Sequence, residues 1–200
     1  MSLKRWVGVV PWWLVAGMAL LLGAVAWWIQ PEPVWVPKPN GHVRIALPDT
    51  QTVAYQSPCK GTFRIPTYMN VERSTKSGEE ACWFNLVAPR FNAKMHVTEV
   101  PVNNNLTQLL EDAQSMVFGH EVAASGLRQQ RLDYPDKTGV LFVLEGPVAT
   151  PLQFFVTDSV TFTRGSLYFN HRPNPDSVAP VLARLESDLQ LLMETIEWMP

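Results

Sequence analysis

Hydrophobic and polar positions follow two different periods along the chain, and these divide it into elements. From Ala93 to Val100 the alternation is strict. Ala93, Met95 and Val97, with Glu99 at the same parity, share one face; Lys94, His96, Thr98 and Val100 share the other. A period of two with one apolar face predicts a strand buried on one side. Short runs of the same kind occupy Val43 to Leu47, Val53 to Tyr55, Thr62 to Ile65 and Trp83 to Val87, punctuated by Pro48-Asp49, Lys60-Gly61 and Pro89. Gly139 to Glu145 is almost wholly apolar and predicts a central strand covered on both faces. From Leu106 the period changes: Leu106, Leu109, Leu110, Ala113, Met116, Val117 and Ala124 trace one side of a helix. Asn103 to Asn105 supply its cap, Glu111 and Asp112 are expected early in it, and Gly126 is expected to end it. A second amphipathic helix is predicted over Ser177 to Trp198, with Val178, Val181, Leu182, Leu185, Leu189, Leu192 and Ile196 on one side. Asp176 or Ser177 would cap it, with Pro180 tolerated in the first turn.

Between these elements, Gln153 to Asp176 reads as an aromatic hairpin followed by a stop. Two apolar runs, Leu152 to Thr157 and Ser166 to Asn170, flank a polar connector from Asp158 to Gly165, with the second strand falling within residues 162–170. Phe154, Val156, Leu167 and Phe169 are expected to face the last helix at Leu185, Leu189 and Leu192. Tyr68 to Ala81 is polar and charged and reads as a solvated loop. The order of elements predicts an α+β fold, an antiparallel β-sheet covered by two main amphipathic helices.

The start of the chain obeys neither period. Lys4 and Arg5 precede 23 uncharged residues, Val7 to Ile29, with Trp12-Trp13 and Trp27-Trp28 near the two ends. As a helix this run spans roughly 34 Å, against a hydrocarbon core of ~30 Å. A retained signal anchor, basic flank in the cytoplasm, fits the length and the indole pairs. Cleavage after Ala26, at Ala24-Val25-Ala26, is the competing fate. Lipidation is excluded on the residues, because Leu22-Gly23-Ala24 is followed by Val25, which has no thiol. Four prolines between Gln30 and Asn40 predict an extended spacer, with Trp35 packing on the domain edge. The expected organisation is an anchor or signal segment over 1–30, a spacer over 31–40 and one exported domain over 41–200.

Export changes the reading of the two cysteines. Cys59 and Cys82 meet an oxidising compartment, which favours a disulfide; two unpaired buried thiols are the alternative. Without Lys4 and Arg5 the chain has 14 basic against 18 acidic residues, a net charge of −4. No basic run exists, so no nucleic-acid partner is expected. His42, His96, His120 and His171 form no metal-ligand spacing, and there is no G-x-S-x-G elbow, phosphate loop or G-x-G-x-x-G fingerprint. No catalytic residue, metal or cofactor is expected. One polar set remains as a candidate for binding a partner: Asp158, Arg164, Asn170 and Arg172, the two arginines acting as a clamp for a carboxylate. The competing reading pairs Asp158 with Arg164 across the turn and uses residues 170–172 to cap the next helix.

Three segments together carry a family resemblance: PKPNGHVRIALP, then CWFNLVAPRFNAKMHVTEVPVNNNLTQLLEDAQSMVFGH, then TPLQFFVTDSVTFTRGSLYFNHRPNPDSVAPVLARLESDLQLLMETIEW. The chain resembles the GldD gliding-motility lipoprotein family of Bacteroidetes-type bacteria over about Val36 to Trp198. The resemblance implies a periplasm-facing envelope protein, required for gliding and tied to type IX secretion, with no known enzymatic activity. It implies partners among the protein components of that machinery and attachment to the membrane, here through residues 7–29 in place of a lipidated cysteine. The arrangement of helices and sheet also resembles the Mog1/PsbP-like fold. Against this non-enzymatic assembly or stability factor stands a second class, a periplasmic module binding a small molecule or lipid between helix and sheet.

Overall fold

Each face of one seven-stranded antiparallel sheet is served by a different helix. The computed structural model describes residues 11–28, 45–73, 82–121, 124–171 and 174–199. Expectations placed on the proline-rich spacer, Trp35, His42, most of the charged loop, the His120 side chain and Arg172 lie outside the described residues. The elements in chain order are α1 (Trp12–Trp28), β1 (Thr52–Gln56), β2 (Gly61–Pro66), β3 (Asn70–Arg73), β4 (Cys82–Ala88), β5 (Ala93–Pro101), α2 (Leu106–Glu121), β6 (Gly126–Asp133), β7 (Thr138–Glu145), β8 (Leu152–Thr157), β9 (Thr161–Phe169), α3 (Pro175–Thr195) and β10 (Glu197–Trp198). The large sheet runs β3-β4-β5-β9-β8-β7-β6, and a small one runs β1-β2-β10.

The chain divides into two units, residues 1–42 and 43–200. In the first, α1 has 17 residues, none charged and none buried. Among the described residues no helix is long and apolar enough to cross a membrane. At 1.5 Å per residue α1 itself covers about 26 Å.

In the second unit, one face of the large sheet packs on α3 and on β2. Leu141 and Val143 of β7, Phe154 and Val156 of β8, Leu167 and Phe169 of β9, and Met95 and Val97 of β5 join Leu185, Leu189 and Leu192 in one buried cluster. The four hairpin residues therefore face the last helix as their alternation predicts. The opposite face packs on α2, where Ala113 and Val117 meet Val140, Phe142, Leu144, Phe155 and Phe162. β7 is buried on both faces because it lies between the two helices.

Several elements differ from the sequence reading. Residues 45–50 form no strand, and Ile45 and Leu47 are exposed. Their stretch is held by a side chain instead: Arg184 donates to the carbonyls of Pro48 at 3.2 Å and Asp49 at 3.1 Å. β3 lies inside the predicted loop as a short edge strand beside β4. β6 was not foreseen, because its two leucines have opposite parity and its other side chains are mostly polar. Two of these polar groups reach α3, Arg128 to Glu186 at 2.8 Å and Gln190 to Gln130 at 3.0 Å. Gly126 opens β6 instead of ending α2, and Glu111 and Asp112 lie beyond the first turn.

The connector of the hairpin is shorter than predicted, since β9 begins at Thr161. Gly165 is no part of the connector. It sits inside β9, paired with Phe154, and a Cβ there would meet the Phe154 ring at 2.3 Å. The glycine makes room for a core ring and marks no turn. At the other end, α3 starts at Pro175, with the Asn174 carbonyl accepting from the N–H groups of Ser177 and Val178. Proline at the first helical position loses no bond, which moves the start before Asp176 and leaves Pro180 past the first turn. The helix stops at Thr195, and Glu197 and Trp198 turn back to pair with β2.

Candidate functional site

The α2 face is only half covered. α2 lies over β7, β8 and the start of β9, so the same face of β4, β5 and the rest of β9 stands open. Register aligns its side chains in rows. Trp83, Thr98 and Arg164 form one; Asn85, His96 and Ser166 the next; Val87, Lys94 and Tyr168 a third. Opposite parity sends Phe84, Leu86, Met95 and Val97 into the core, which fixes the outward set as firmly as the inward one.

The open surface is ordered. His96 Nδ1 lies 2.7 Å from Asn85 Oδ1, and its ring meets Tyr168 edge-on at 5.3 Å. Lys94 pairs with Glu72 at 3.1 Å. Burial, and then the Lys94 ammonium, hold the His96 imidazole below its usual range. The ring is thus neutral near pH 7. With Nδ1 donating to Asn85, Nε2 is left as an outward acceptor. Ser166 is the neighbour of His96 but its hydroxyl donates to Gln153 Oε1 at 3.3 Å, so it forms no nucleophile–base pair with the imidazole. Among the described residues no three metal-ligating side chains cluster.

Of the sequence-predicted partner residues, Asp158, Arg164 and Asn170 are described and do not converge, while Arg172 lies outside the described residues. Asp158 is committed to the β8–β9 turn, where its carboxylate accepts from the N–H groups of Val160 and Thr161 at 2.9 and 2.6 Å around Ser159 at φ 73°. It makes no ion pair with Arg164, which stands mid-strand on the α2 face with one guanidinium N–H on Met116 Sδ at 2.9 Å. Asn170 follows the far end of β9 and bonds Asn92 through both backbone, at 2.9 Å, and side chain, at 3.2 Å. From Thr161 to Phe169 a nine-residue strand is about 27 Å long. Of the three described, Arg164 alone joins the open face. Sequence reading passed over Trp83, Asn85, Tyr168 and Met116; the available signal was the polar parity of two adjacent strands, which by itself also describes an ordinary wet surface.

Two pockets flank these elements. One, of about 120 Å³, lies between α2 and the β5–β9 pair and is lined by Leu109, Asp112, Met116, Val100, Phe162 and Arg164 among others. The other, of about 190 Å³, is apolar and lies between the start of α3 and the β7–β8 loop. Both are smaller than the roughly 300 Å³ at which small-molecule sites begin.

On the α3 face, polar groups serve the fold. Cys59 and Cys82 form a disulfide with Cα atoms 5.8 Å apart, consistent with the pairing favoured from export. Since these are the chain's two cysteines, no thiol remains for acylation. Glu99, cross-strand from Cys82, is buried; one carboxyl oxygen accepts from the Lys60 N–H at 2.8 Å, and the other has no partner. Burial raises its pKa against the lowering effect of that N–H. Tyr68 donates to Asp188, which also holds Arg184 at 3.0 Å, and burial followed by the Asp188 carboxylate pushes the phenol far above its usual range.

Comparison with known proteins adds the family. Among solved structures, the solution structure of cyanobacterial PsbP from Synechocystis sp. aligns with a TM-score of 0.45 at 10% identity, over 78% of this chain and 98% of that one. No curated protein matches the sequence. The family described as gliding motility lipoprotein GldD matches residues 32–198, nearly the whole second unit and the end of the first. The chain belongs to the gliding motility lipoprotein GldD family, a family of cell-envelope proteins.

Proposed function

We propose that this envelope protein is a non-enzymatic assembly or stability factor for the gliding machinery and its associated type IX secretion system, acting through protein contacts on the open half of the sheet. The observation that carries this reading is the composition of that face. Trp83 is 39% exposed and Met116 46% exposed, beside Tyr168, His96 and Arg164. Trp, Tyr, Arg and Met are the residues enriched where protein interfaces bury their centres. A side chain merely facing water has no need of the Asn85–His96–Tyr168 packing that holds these rings in place. The small volumes of the two pockets weigh against the alternative, a module for a small molecule or lipid.

Attachment follows the same reading. The family is named for a lipid anchor, and this chain has no cysteine free to carry one. The uncharged run from Val7 to Ile29 takes that role in our proposal, holding the domain on the periplasmic side of the inner membrane unless cleavage after Ala26 releases it. Mass spectrometry of the mature N-terminus decides between these two fates.

The functional test is a gliding strain carrying Tyr168→Ala with His96→Ala. Loss of colony spreading and of adhesin export, with the purified protein's melting temperature unchanged, is expected. Normal spreading from that strain overturns the partner role of this face.

A further inference from the structure

We propose that the pocket between α2 and the β5–β9 pair captures the C-terminal residue of a partner protein, a chain end with an apolar side chain and a free carboxylate. This names the partner chemistry of the open face and so rests on the reading that this face meets a protein.

Arg164 is half-buried, and among the described residues its sole partner is the thioether of Met116. A thioether is a weak acceptor, so a guanidinium with five donors is left nearly unmatched in a partly desolvated place. An arginine there calls for an anion, and a carboxylate matches its fork. The same guanidinium lines a pocket whose other walls include Leu109, Val100 and Phe162. Cation and apolar wall therefore share about 120 Å³, space for one side chain.

One residue must supply both the carboxylate and the apolar group. An internal Asp or Glu carries its charge on its own side chain and has no apolar arm. Its nearest neighbour on the same face of an extended segment lies about 6.6 Å away. A C-terminal residue bears its carboxylate and its side chain on one Cα. Asp112 completes the match from the α2 lip. It makes no ion pair with Arg164 and has no partner among the described residues, and its carboxylate is placed to accept the amide N–H of the terminal residue. Recognition of a chain end by a cation, an N–H acceptor and a side-chain pocket is a recurring mode of peptide binding.

The test titrates the full chain with N-acetyl-leucine and follows the Met116 methyl resonance. N-acetyl-leucinamide, which lacks the carboxylate, and free leucine, which carries an ammonium, are the comparison probes. Saturable binding of N-acetyl-leucine is expected, at least about tenfold weaker with the amide, and weakened by both Arg164→Gln and the exposed, fold-neutral Asp112→Ala. Equal binding of acid and amide, or no saturable shift, overturns the proposal. Tighter binding of free leucine overturns the chain-end assignment in favour of an amino-acid site. If binding fails while Tyr168→Ala with His96→Ala still abolishes gliding, the pocket assignment falls and the partner face stands.

Discussion

The two faces of the large sheet are made from the same strands, yet they do different work. The α3 face is continuous: strands β4, β5, β9, β8 and β7 all send apolar side chains beneath a helix and a second small sheet. The α2 face forms a buried apolar cluster only where α2 lies, over β7, β8 and the start of β9. Beyond it the same parity carries Trp83, Asn85, His96, Lys94 and Tyr168. A strand in this protein therefore has a folding side and a presenting side, and β5 and β9 switch the presenting side from covered to open along their length. The comparison teaches that substitutions one residue apart should separate into stability defects and functional defects.

The largest effect should come from the α3 face. Phe169→Ala removes a ring that is 8% exposed in the main cluster. Lost burial and the cavity should cost about 3–5 kcal/mol, read by denaturant or thermal unfolding. Its neighbour Tyr168→Ala, on the presenting side, should cost far less. Equal costs at 168 and 169 break the comparison outright.

Next comes the staple at one end of the α3 face. Replacing both Cys59 and Cys82 with Ser opens a loop with a sequence separation of 23. Closing such a loop is worth about 3 kcal/mol, so the double variant should unfold at correspondingly lower denaturant. A change of less than a few tenths of a kcal/mol would mean that the β2–β4 contact holds without it.

Glu99 sharpens the contrast by pH, because it is a carboxyl on the folding side. Its folded pKa is raised above the unfolded one by burial. The folded state then holds the proton longer, so stability is greatest at acid pH and falls as pH rises from the ordinary glutamate range towards the raised folded value. Glu99→Gln removes that slope. It should raise the melting temperature at pH 7.5 and leave it nearly unchanged at pH 4. An identical shift at both pH values would show that the Glu99 pKa does not differ between the folded and unfolded chain.

The legibility of the chain follows the same division. Where one face is buried, hydrophobic period reports it, and this placed β4, β5, β7, β8, α2 and the α3 stripe. Edges were harder. β6 half-buries its leucines at opposite parities and pairs polar groups with α3, and β10 is two residues that join the small sheet after the helix ends. Gly165 was misread because a glycine that seats a ring across strands looks, in one dimension, like one that makes a turn. The candidate site suffered most. Asp158, Arg164 and Asn170 lie close in sequence, but a strand is extended, so proximity along it is distance in space. Rows across strands made the site instead, joining Trp83 to Arg164 and Asn85 to Ser166, and these rows exist only once register is known.

The smallest effect on stability should accompany a large effect on function, and it is expected at Trp83. Its side chain stands at the head of the row that leads through Thr98 to Arg164, on β4 and 39% exposed. The residue after it, Phe84, is 1% exposed and stacks with Phe63 across the α3 face. Truncating Trp83 to Ala opens no core cavity, so stability should move by no more than about 1 kcal/mol. An exposed indole at an interface centre, by contrast, can carry 2 kcal/mol or more, roughly a thirtyfold loss of affinity. Trp83→Ala should therefore leave the unfolding curve in place and stop gliding, whereas Phe84→Ala should shift the curve first and lose gliding only through loss of folded protein. Restoring protein level by overexpression separates the two: it should rescue Phe84→Ala in part and Trp83→Ala not at all. Rescue of both in equal measure would mean that Trp83 is one more packing residue, and the presenting side would have to be sought elsewhere on the domain.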